Sequence, residues 1–251
     1  MKKTAFITGA TSGIGRATAR EFAKQGIRLV LCGRRKDRLE NLQTELTSQT
    51  EVYTLQFDVR SKEDVNRAIY SLPHAFSEID ILINNAGNAH GLDPIQNGTV
   101  EDWDAMIDIN VKGLLYVSKA IIPGMVERRT GHIINVGSLA GKEVYPGGNV
   151  YCASKHAVDA LNKGMRIDLS TYGIKVGAVN PGLVETEFSN VRFKGDEERA
   201  EKVYQGYAPL TPEDVAEVIT FMVTRPAHVN IADILLLPTA QASSTQVKKE
   251  A

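Results

Sequence analysis

A chain of 251 residues with 43% hydrophobic residues fits one large α/β domain, which at this size buries roughly three quarters of its unfolded surface without metals or disulfide staples. Its 29 basic and 30 acidic residues leave a formal net charge of −1, with no basic stripe of the kind that marks nucleic acid as a partner. Two cysteines, Cys32 and Cys152, are too few for a disulfide framework and suit a reducing compartment, and no run approaches the ~20 apolar residues of a membrane span, so a soluble, cytoplasmic protein is expected.

The opening residues MKKTAFIT have the lysines and apolar run of a signal peptide, but the run is too short and passes straight into a glycine-rich turn. Thr4–Thr8 reads as the first strand. The turn Thr8-Gly9-Ala10-Thr11-Ser12-Gly13-Ile14-Gly15 follows, and a helical pattern over Ile14–Lys24 follows the turn. Glycines at that junction let the backbone bend sharply and approach a ligand, while the helix N-terminus offers free N–H groups and positive dipole to a pyrophosphate. The spacing is G-x-x-x-G-x-G, not the G-x-G-x-x-G of the usual dinucleotide fingerprint. A second strand, Arg28–Cys32, leads through Gly33 to Arg34-Arg35. About 20 residues after such a turn an NAD-selecting enzyme places an acid for the ribose 2′-hydroxyl. Two guanidiniums suit a 2′-phosphate instead, by charge and by planar donor geometry. Solvated charge ahead of a polar helix is the plainer alternative, since Lys36 and Arg38 are basic too. The third strand, Val52–Phe57, ends at Asp58-Val59, which can meet an adenine edge, and Ser61-x-x-Asp64 caps a helical segment over Ser61–Phe76.

The fourth strand, Ile79–Ile83, closes on Asn84-Asn85-Ala86-Gly87, and Asn110 lies in the helical stretch beyond. Ser138 follows the fifth strand, His132–Val136, and stands thirteen residues before Tyr151 across a glycine-rich loop. Its hydroxyl can donate to a substrate oxygen as charge develops there. Tyr151 and Lys155 are four apart at the start of a helical segment that runs on through Ala153–Leu169, which puts them on one face. A free tyrosine titrates near pH ~10, and a nearby ammonium lowers that value enough for proton exchange with an alcohol. Alone, a Tyr-x-x-x-Lys pair is ordinarily just a helix surface. The sixth strand, Lys175–Val179, ends at Pro181-Gly182. Residues 183–210 then exceed a usual connection and, lying above the strand ends, read as a lid, with an ordinary surface excursion as the alternative. Thr211-Pro212-Glu213-Asp214 starts another helix, Ile231–Leu237 makes the seventh strand, and residues 240–251 form a polar tail, mobile or partner-contacting. The alternation implies a single catalytic domain over 1–239: a doubly wound, Rossmann-type α/β sheet of about seven parallel strands with helices on both faces.

In this order, T-G-x-x-x-G-x-G, N-N-A-G, an Asn, a Ser, Y-x-x-x-K and P-G resemble the short-chain dehydrogenase/reductase family over Thr8 to about Leu237. The resemblance implies an NADP-linked hydride transfer between a secondary alcohol and its carbonyl. It implies that Gly9, Ser12, Gly13, Ile14 and Gly15 hold the pyrophosphate, and that Asn85, Ala86 and Gly87 lie on the adenosine side with Arg34, Arg35, Asp58 and Val59. Ser138 then polarises the substrate oxygen and Tyr151 is the general acid/base. Lys155 binds the nicotinamide ribose and lowers the pKa of Tyr151, and Asn110 holds a water in a proton relay behind it. Thr186 binds the nicotinamide carboxamide, with Pro181, Gly182 and Val184 also against the cofactor.

Longer segments, among them Glu101-Asp102-Trp103, Pro123-Gly124-Met125-Val126-Glu127-Arg128, Gly147-Gly148-Asn149-Val150-Tyr151, Thr186–Asp196 and Pro226-Ala227-His228-Val229-Asn230-Ile231, are similar to the NADP-dependent 3-hydroxy acid dehydrogenase branch. That similarity implies a homotetramer acting on L-serine, L-allo-threonine, 3-hydroxypropionate or malonic semialdehyde. A small hydroxy acid needs a cation for its carboxylate. Arg192 and Lys194 in the lid are available, and Arg192 offers bidentate geometry; solvent-facing lid charge is the alternative. The loop Ala140–Pro146, with Lys142-Glu143, departs from the branch and lies where it can line the pocket. Two other functions fit the same motifs: reduction of a bulkier ketone such as a 3-oxoacyl thioester or sugar, and a non-catalytic NADP-binding sensor, which would ordinarily have lost the Tyr or the Lys. His74, His90, His132, His156 and His228 show no metal spacing, so no metal is expected, and Cys152 reads as core packing.

Overall fold

The computed structural model describes residues 2–250. Among them, strands β1 (Thr4–Ile7), β2 (Arg28–Gly33), β3 (Val52–Gln56), β4 (Ile81–Asn84), β5 (Gly131–Val136), β6 (Ile174–Pro181) and β7 (Asp233–Leu236) form one sheet in the order β3-β2-β1-β4-β5-β6-β7, parallel throughout. The helices are α1 (Gly13–Lys24), α2 (Lys36–Leu46), α3 (Lys62–Tyr70), α4 (His74–Ser77), α5 (Val100–Ile107), α6 (Leu114–Arg128), α7 (Asn149–Leu169), α8 (Phe188–Arg192), α9 (Glu197–Lys202) and α10 (Pro212–Val223). This is the doubly wound single domain that the strand–helix alternation implies.

Parallel strands covered on both faces read as unbroken apolar runs, and the central strands do. Alternate residues then feed two cores. Ala5, Ile7, Leu29, Leu31, Ile81 and Ile83 pack against Phe22 of α1 and Ile219 and Met222 of α10 on one face. Phe6, Val30, Cys32 and Leu82 pack against Val65 of α3 and Val117, Ile121 and Met125 of α6 on the other. Truncating such a side chain, Phe22→Ala for example, costs about 3–5 kcal/mol. Helix starts follow local chemistry: Ser61 accepts from the Asp64 N–H at 3.2 Å, and Thr211 and Asp214 form a reciprocal capping box with Pro212 at the first helical position.

Three features differ from the expected elements. The segment over Ser61–Phe76 breaks after Tyr70, because Pro73 cannot continue the helix, and restarts as the short α4. Asp108–Gly113, between α5 and α6, is wound as a π-helix, an insertion that re-aims side chains and is frequent at functional sites. The tail, expected to be mobile or partner-contacting, lies against its own chain: Gln241 is buried and accepts from Leu183 N–H at 2.9 Å, Ser244 N–H donates to Glu143 at 2.7 Å, and Glu250 N–H donates to Gly206 O at 2.7 Å. Backbone and side-chain amide bonds tie it down where apolar residues are few.

At the switch point between β1 and β4 the chain winds away in opposite directions, which opens a crevice at the carboxyl ends of the strands. A polar ladder fixes the strands beneath it. Asn84 donates to Ser118 at 3.0 Å and to Asn135 at 2.9 Å, and Asn135 donates to Asn162 at 3.0 Å, all buried. At the opposite end of the sheet His132 is buried with no partner for either ring nitrogen among the described residues. Burial, with Lys175 and Lys3 adding to it, lowers its pKa to about 3. The unfolded chain takes up that proton near pH ~6.5. Stability therefore falls as the pH drops from there and levels off near the folded value. His132→Leu should flatten this part of the pH profile of unfolding free energy; an unchanged slope would assign the acid loss to carboxylates alone.

Candidate active site

A cleft of about 540 Å³ lies over the switch point and gathers the β1–α1 turn, the ends of β2 to β6, the lid and the tail. Gly9 and Gly13 hold φ of +65° and +49°, a region that an L side chain enters at a cost. A Cβ on Gly13 would meet Thr186 Cγ2 at 3.2 Å, and one on Gly9 would meet Asn85 Nδ2 at 2.9 Å. The turn is thus a bare-backbone cradle under the lid. Ser12 makes no side-chain cap on α1, and the first turn of that helix holds no acid, so its N–H groups and dipole face the cleft uncompensated. These residues fit a dinucleotide pyrophosphate.

Gly9, Ser12, Gly13, Ile14, Arg34, Arg35, Asp58, Val59, Asn85, Ala86, Gly87, Pro181, Gly182, Val184 and Thr186 all line the cleft, as do Ser138, Tyr151, Lys155 and Arg192. Two expected residues stand behind the wall. Gly15 packs under Gly9, where a Cβ would lie 2.5 Å from Gly9 O. Asn110, brought inward by the π-helix, accepts from Asn88 N–H at 2.9 Å and donates to Asn88 O at 2.9 Å and Ser154 Oγ at 3.0 Å. With its side chain committed in this way, Asn110 fixes the backbone beyond Gly87. Asn85 is also a brace: its amide donates to Thr8 O at 2.9 Å, while Thr8 Oγ1 accepts from the N–H groups of Asn85 and Ala86 at 2.8 and 2.9 Å.

Ser138 caps the turn Leu139–Gly141, accepting from Ala140 N–H at 3.1 Å. Tyr151 and Lys155 project from the first turns of α7, both buried. Burial pushes the Tyr151 phenol well above its ordinary pKa, the neighbouring Tyr145 adds to this, and Ser138 and Arg192 oppose it. Lys155 donates to Val136 O at 3.0 Å, and burial lowers its pKa to about 8. The cation over the Tyr151 ring is Arg192, 5.6 Å from the centroid. Cys152 packs with Tyr151, Met106 and Ala89 in a small apolar cluster beneath the site.

The lid supplies the other wall. Phe188 stands 5.6 Å from Tyr151, centroid to centroid. Arg192 is fixed by Nε to Gly91 O at 3.0 Å and by Nη1 to the Tyr145 hydroxyl at 3.1 Å, while its Nη2 is buried and has no acceptor among the described residues. Lys194, the other candidate cation, pairs with Asp102 at 2.9 Å on an exposed edge and is spent on anchoring the lid. Tyr145 lies in the loop expected to line the pocket and does so, whereas Thr11, Arg38 and Glu187 join the site without having been singled out by the sequence. Arg35 donates to Thr11 Oγ1 at 2.9 Å, to Ser12 Oγ at 2.8 Å and to Glu187 at 2.8 Å, and Arg38 reaches the same carboxylate. Arg38 was visible as one more basic residue after β2, but nothing in the linear pattern paired Glu187 with it.

Residues 3–197 match the family model of short chain dehydrogenases. The chain belongs to the short-chain dehydrogenase family. It is 48% identical to the NADP-dependent 3-hydroxy acid dehydrogenase YdfG of Escherichia coli strain K12, covering 94% of this chain and 95% of that protein. It is 45% identical to sulfoacetaldehyde reductase 2 of Chromohalobacter salexigens, covering 97% of each. Among solved structures, the closed form of serine dehydrogenase complexed with NADP+ superimposes with a TM-score of 0.93 at 45% identity, covering 99% of this chain and 100% of that one. This short-chain dehydrogenase is accordingly an oxidoreductase. Its Asn110 brace gives a direct test. Asn110→Ala leaves buried groups of Asn88 and Ser154 short of partners and should lower stability by about 1–3 kcal/mol in urea unfolding; a variant as stable as the parent would contradict the bracing role.

Proposed function

We propose that this enzyme transfers a hydride between NADP(H) and the hydroxyl-bearing carbon of a small 3-hydroxy acid, of the L-serine, L-allo-threonine or 3-hydroxypropionate type. The observation that carries the reading is the unaccepted Arg192 N–H buried beside Tyr151. A carboxylate there would complete the guanidinium's bonds and lie on the same wall as the phenol. Retention of both Tyr151 and Lys155 argues against a non-catalytic sensor.

NADP(H), when bound, would supply the hydride acceptor in oxidation and the donor in reduction. Gly9, Ser12, Gly13 and Ile14 would hold the pyrophosphate, Gly15 lets the turn pack closely, Arg34 and Arg35 would meet the 2′-phosphate, and Lys155 and Thr186 would orient the nicotinamide half. Ser138 donates to the substrate oxygen. Tyr151 Oη takes the hydroxyl proton in oxidation and returns it to the carbonyl oxygen in reduction. Its raised pKa leaves the phenol protonated at neutral pH. Reduction should thus be nearly flat with pH, whereas oxidation, which needs the phenolate, should climb as the pH rises. Lys155 and Arg192 are the cations that can favour that phenolate during turnover. Assembly as a homotetramer belongs to the same reading, and light scattering would test it.

A sulfonate can occupy the same guanidinium, and the relationship to a sulfoacetaldehyde reductase makes 2-hydroxyethanesulfonate the second substrate to test. NADPH formation should be fastest with L-serine, L-allo-threonine or 3-hydroxypropionate. Turnover of the sulfonate alone would replace the carboxylate reading, and silence with all four would sink both. Tyr151→Phe should lower kcat by about 100-fold or more, and Arg192→Gln should raise KM for the acids by about 30-fold or more, the worth of a charged hydrogen-bonded pair.

A further inference from the structure

The lid carries a carboxylate into the guanidiniums that a 2′-phosphate would use. Glu187 Oε2 accepts from Arg35 Nη1 at 2.8 Å, and its Oε1 accepts from Arg38 Nη1 at 2.5 Å. One anion therefore bridges two arginines, an oxygen to each, which is the arrangement by which a phosphate is recognised. The other side of Arg35 is already committed to Thr11 and Ser12. The side of its fork that remains for a phosphate is the side that Glu187 holds. Arg34, the neighbouring guanidinium, is more exposed and 3.9 Å from Asp58, and cannot replace Arg35 as the fixed donor.

The charges decide whether both anions can stay. A 2′-phosphate on Arg35 would stand within contact range of the Glu187 carboxylate, and like charges that close disfavour each other. Although burial works against it, the Arg35 and Arg38 hydrogen bonds hold the Glu187 carboxyl below its usual pKa, so protonation does not relieve the conflict at neutral pH. The phosphate and Glu187 therefore compete for the Nη1 side of Arg35. A dinucleotide without the phosphate imposes no such demand.

The carboxylate's position in the chain gives this displacement a consequence at the reacting end. Glu187 immediately precedes α8. Thr186, one residue before, faces Gly13, and Phe188, one residue after, stands on the Tyr151 ring. Arg192 closes the same helix above Tyr151. The six lid residues Glu187–Arg192 thus join the phosphate end of the cofactor groove to the substrate end.

We propose that Glu187 is a cofactor-specificity residue: an internal anion that occupies Arg35 and Arg38 in the cofactor-free enzyme, is displaced by a 2′-phosphorylated dinucleotide, and remains paired when an unphosphorylated one binds. The proposal rests on the assignment of Arg35 to the 2′-phosphate. Displacing Glu187 opposes NADPH binding only, so the native preference for NADPH over NADH is smaller than the bare arginines would give.

The test is equilibrium binding to the cofactor-free enzyme, parent and Glu187→Gln. NADPH and NADH are titrated by nucleotide fluorescence, and adenosine 2′,5′-bisphosphate and 5′-AMP by calorimetry. Removing the charge should tighten NADPH and the bisphosphate by about tenfold, the equivalent of one modest ion pair, and should leave NADH and AMP within about twofold. Weaker NADPH binding by the variant would overturn the proposal and make Glu187 a strap that closes over the cofactor. Equal gains for NADH, or no change with any ligand, would also overturn it. A parent enzyme that binds the bisphosphate no better than AMP would instead remove the premise about Arg35, a failure visible before the variant is made.

Discussion

A guanidinium nitrogen buried without an acceptor is expensive to maintain, and among the described residues Arg192 Nη2 has none where the lid holds it beside Tyr151. Leaving a charged donor short of its partner costs more than an ordinary hydrogen bond contributes. The surroundings hold it nonetheless. Gly91 and the Tyr145 hydroxyl fix two of its nitrogens, and two aromatic rings flank it. An anion in the cleft beside Tyr151 is the acceptor proposed for it.

The rest of the molecule divides into a floor and this wall. The floor comes from the parallel sheet, whose strand ends place Gly9, Asn85, Ser138 and Pro181 around one crevice. Its precision comes from polar braces: Thr8 under residues 85–86, Asn110 behind residue 88, and the asparagine ladder between β4, β5 and α7. The wall is α8 with its flanking residues. It is held at one end by Glu187 on Arg35 and Arg38, and at the other by Lys194 on Asp102. These ties are partly exposed ion pairs, individually weak and exchangeable, which suits a segment that must admit cofactor and substrate.

Much of this is legible in the sequence. Strands buried on both faces cannot hide their apolar runs, and Ser61 and Thr211 announce their helices through local capping chemistry, so the order of elements and the doubly wound sheet could be read directly. The glycine turn, Ser138, Tyr151 and Lys155 were readable because each sits at a strand end or within one helical turn of its partner. Contacts that join distant segments were not. Glu187 lies 149 residues from Arg38, and no periodicity reports such a pairing. The π-helical turn at Asn110 leaves no mark in hydrophobic spacing, and the tail's attachment to Glu143 and Leu183 depends on single hydrogen bonds. For Lys194, residue type alone suggested a ligand-binding cation, and only the position of Asp102 shows it to be an anchor.

The charge on the substrate can be removed without touching the enzyme, and that isolates the role of Arg192. 3-Hydroxypropionate and its methyl ester present the same alcohol to Tyr151, and only the acid can complete the guanidinium. Steady-state oxidation of the two with NADP should give a kcat/KM for the acid at least about 100-fold above that for the ester, on the scale of a charged hydrogen-bonded pair. Equal values would contradict the account, because the buried N–H of Arg192 would then take no part in substrate recognition.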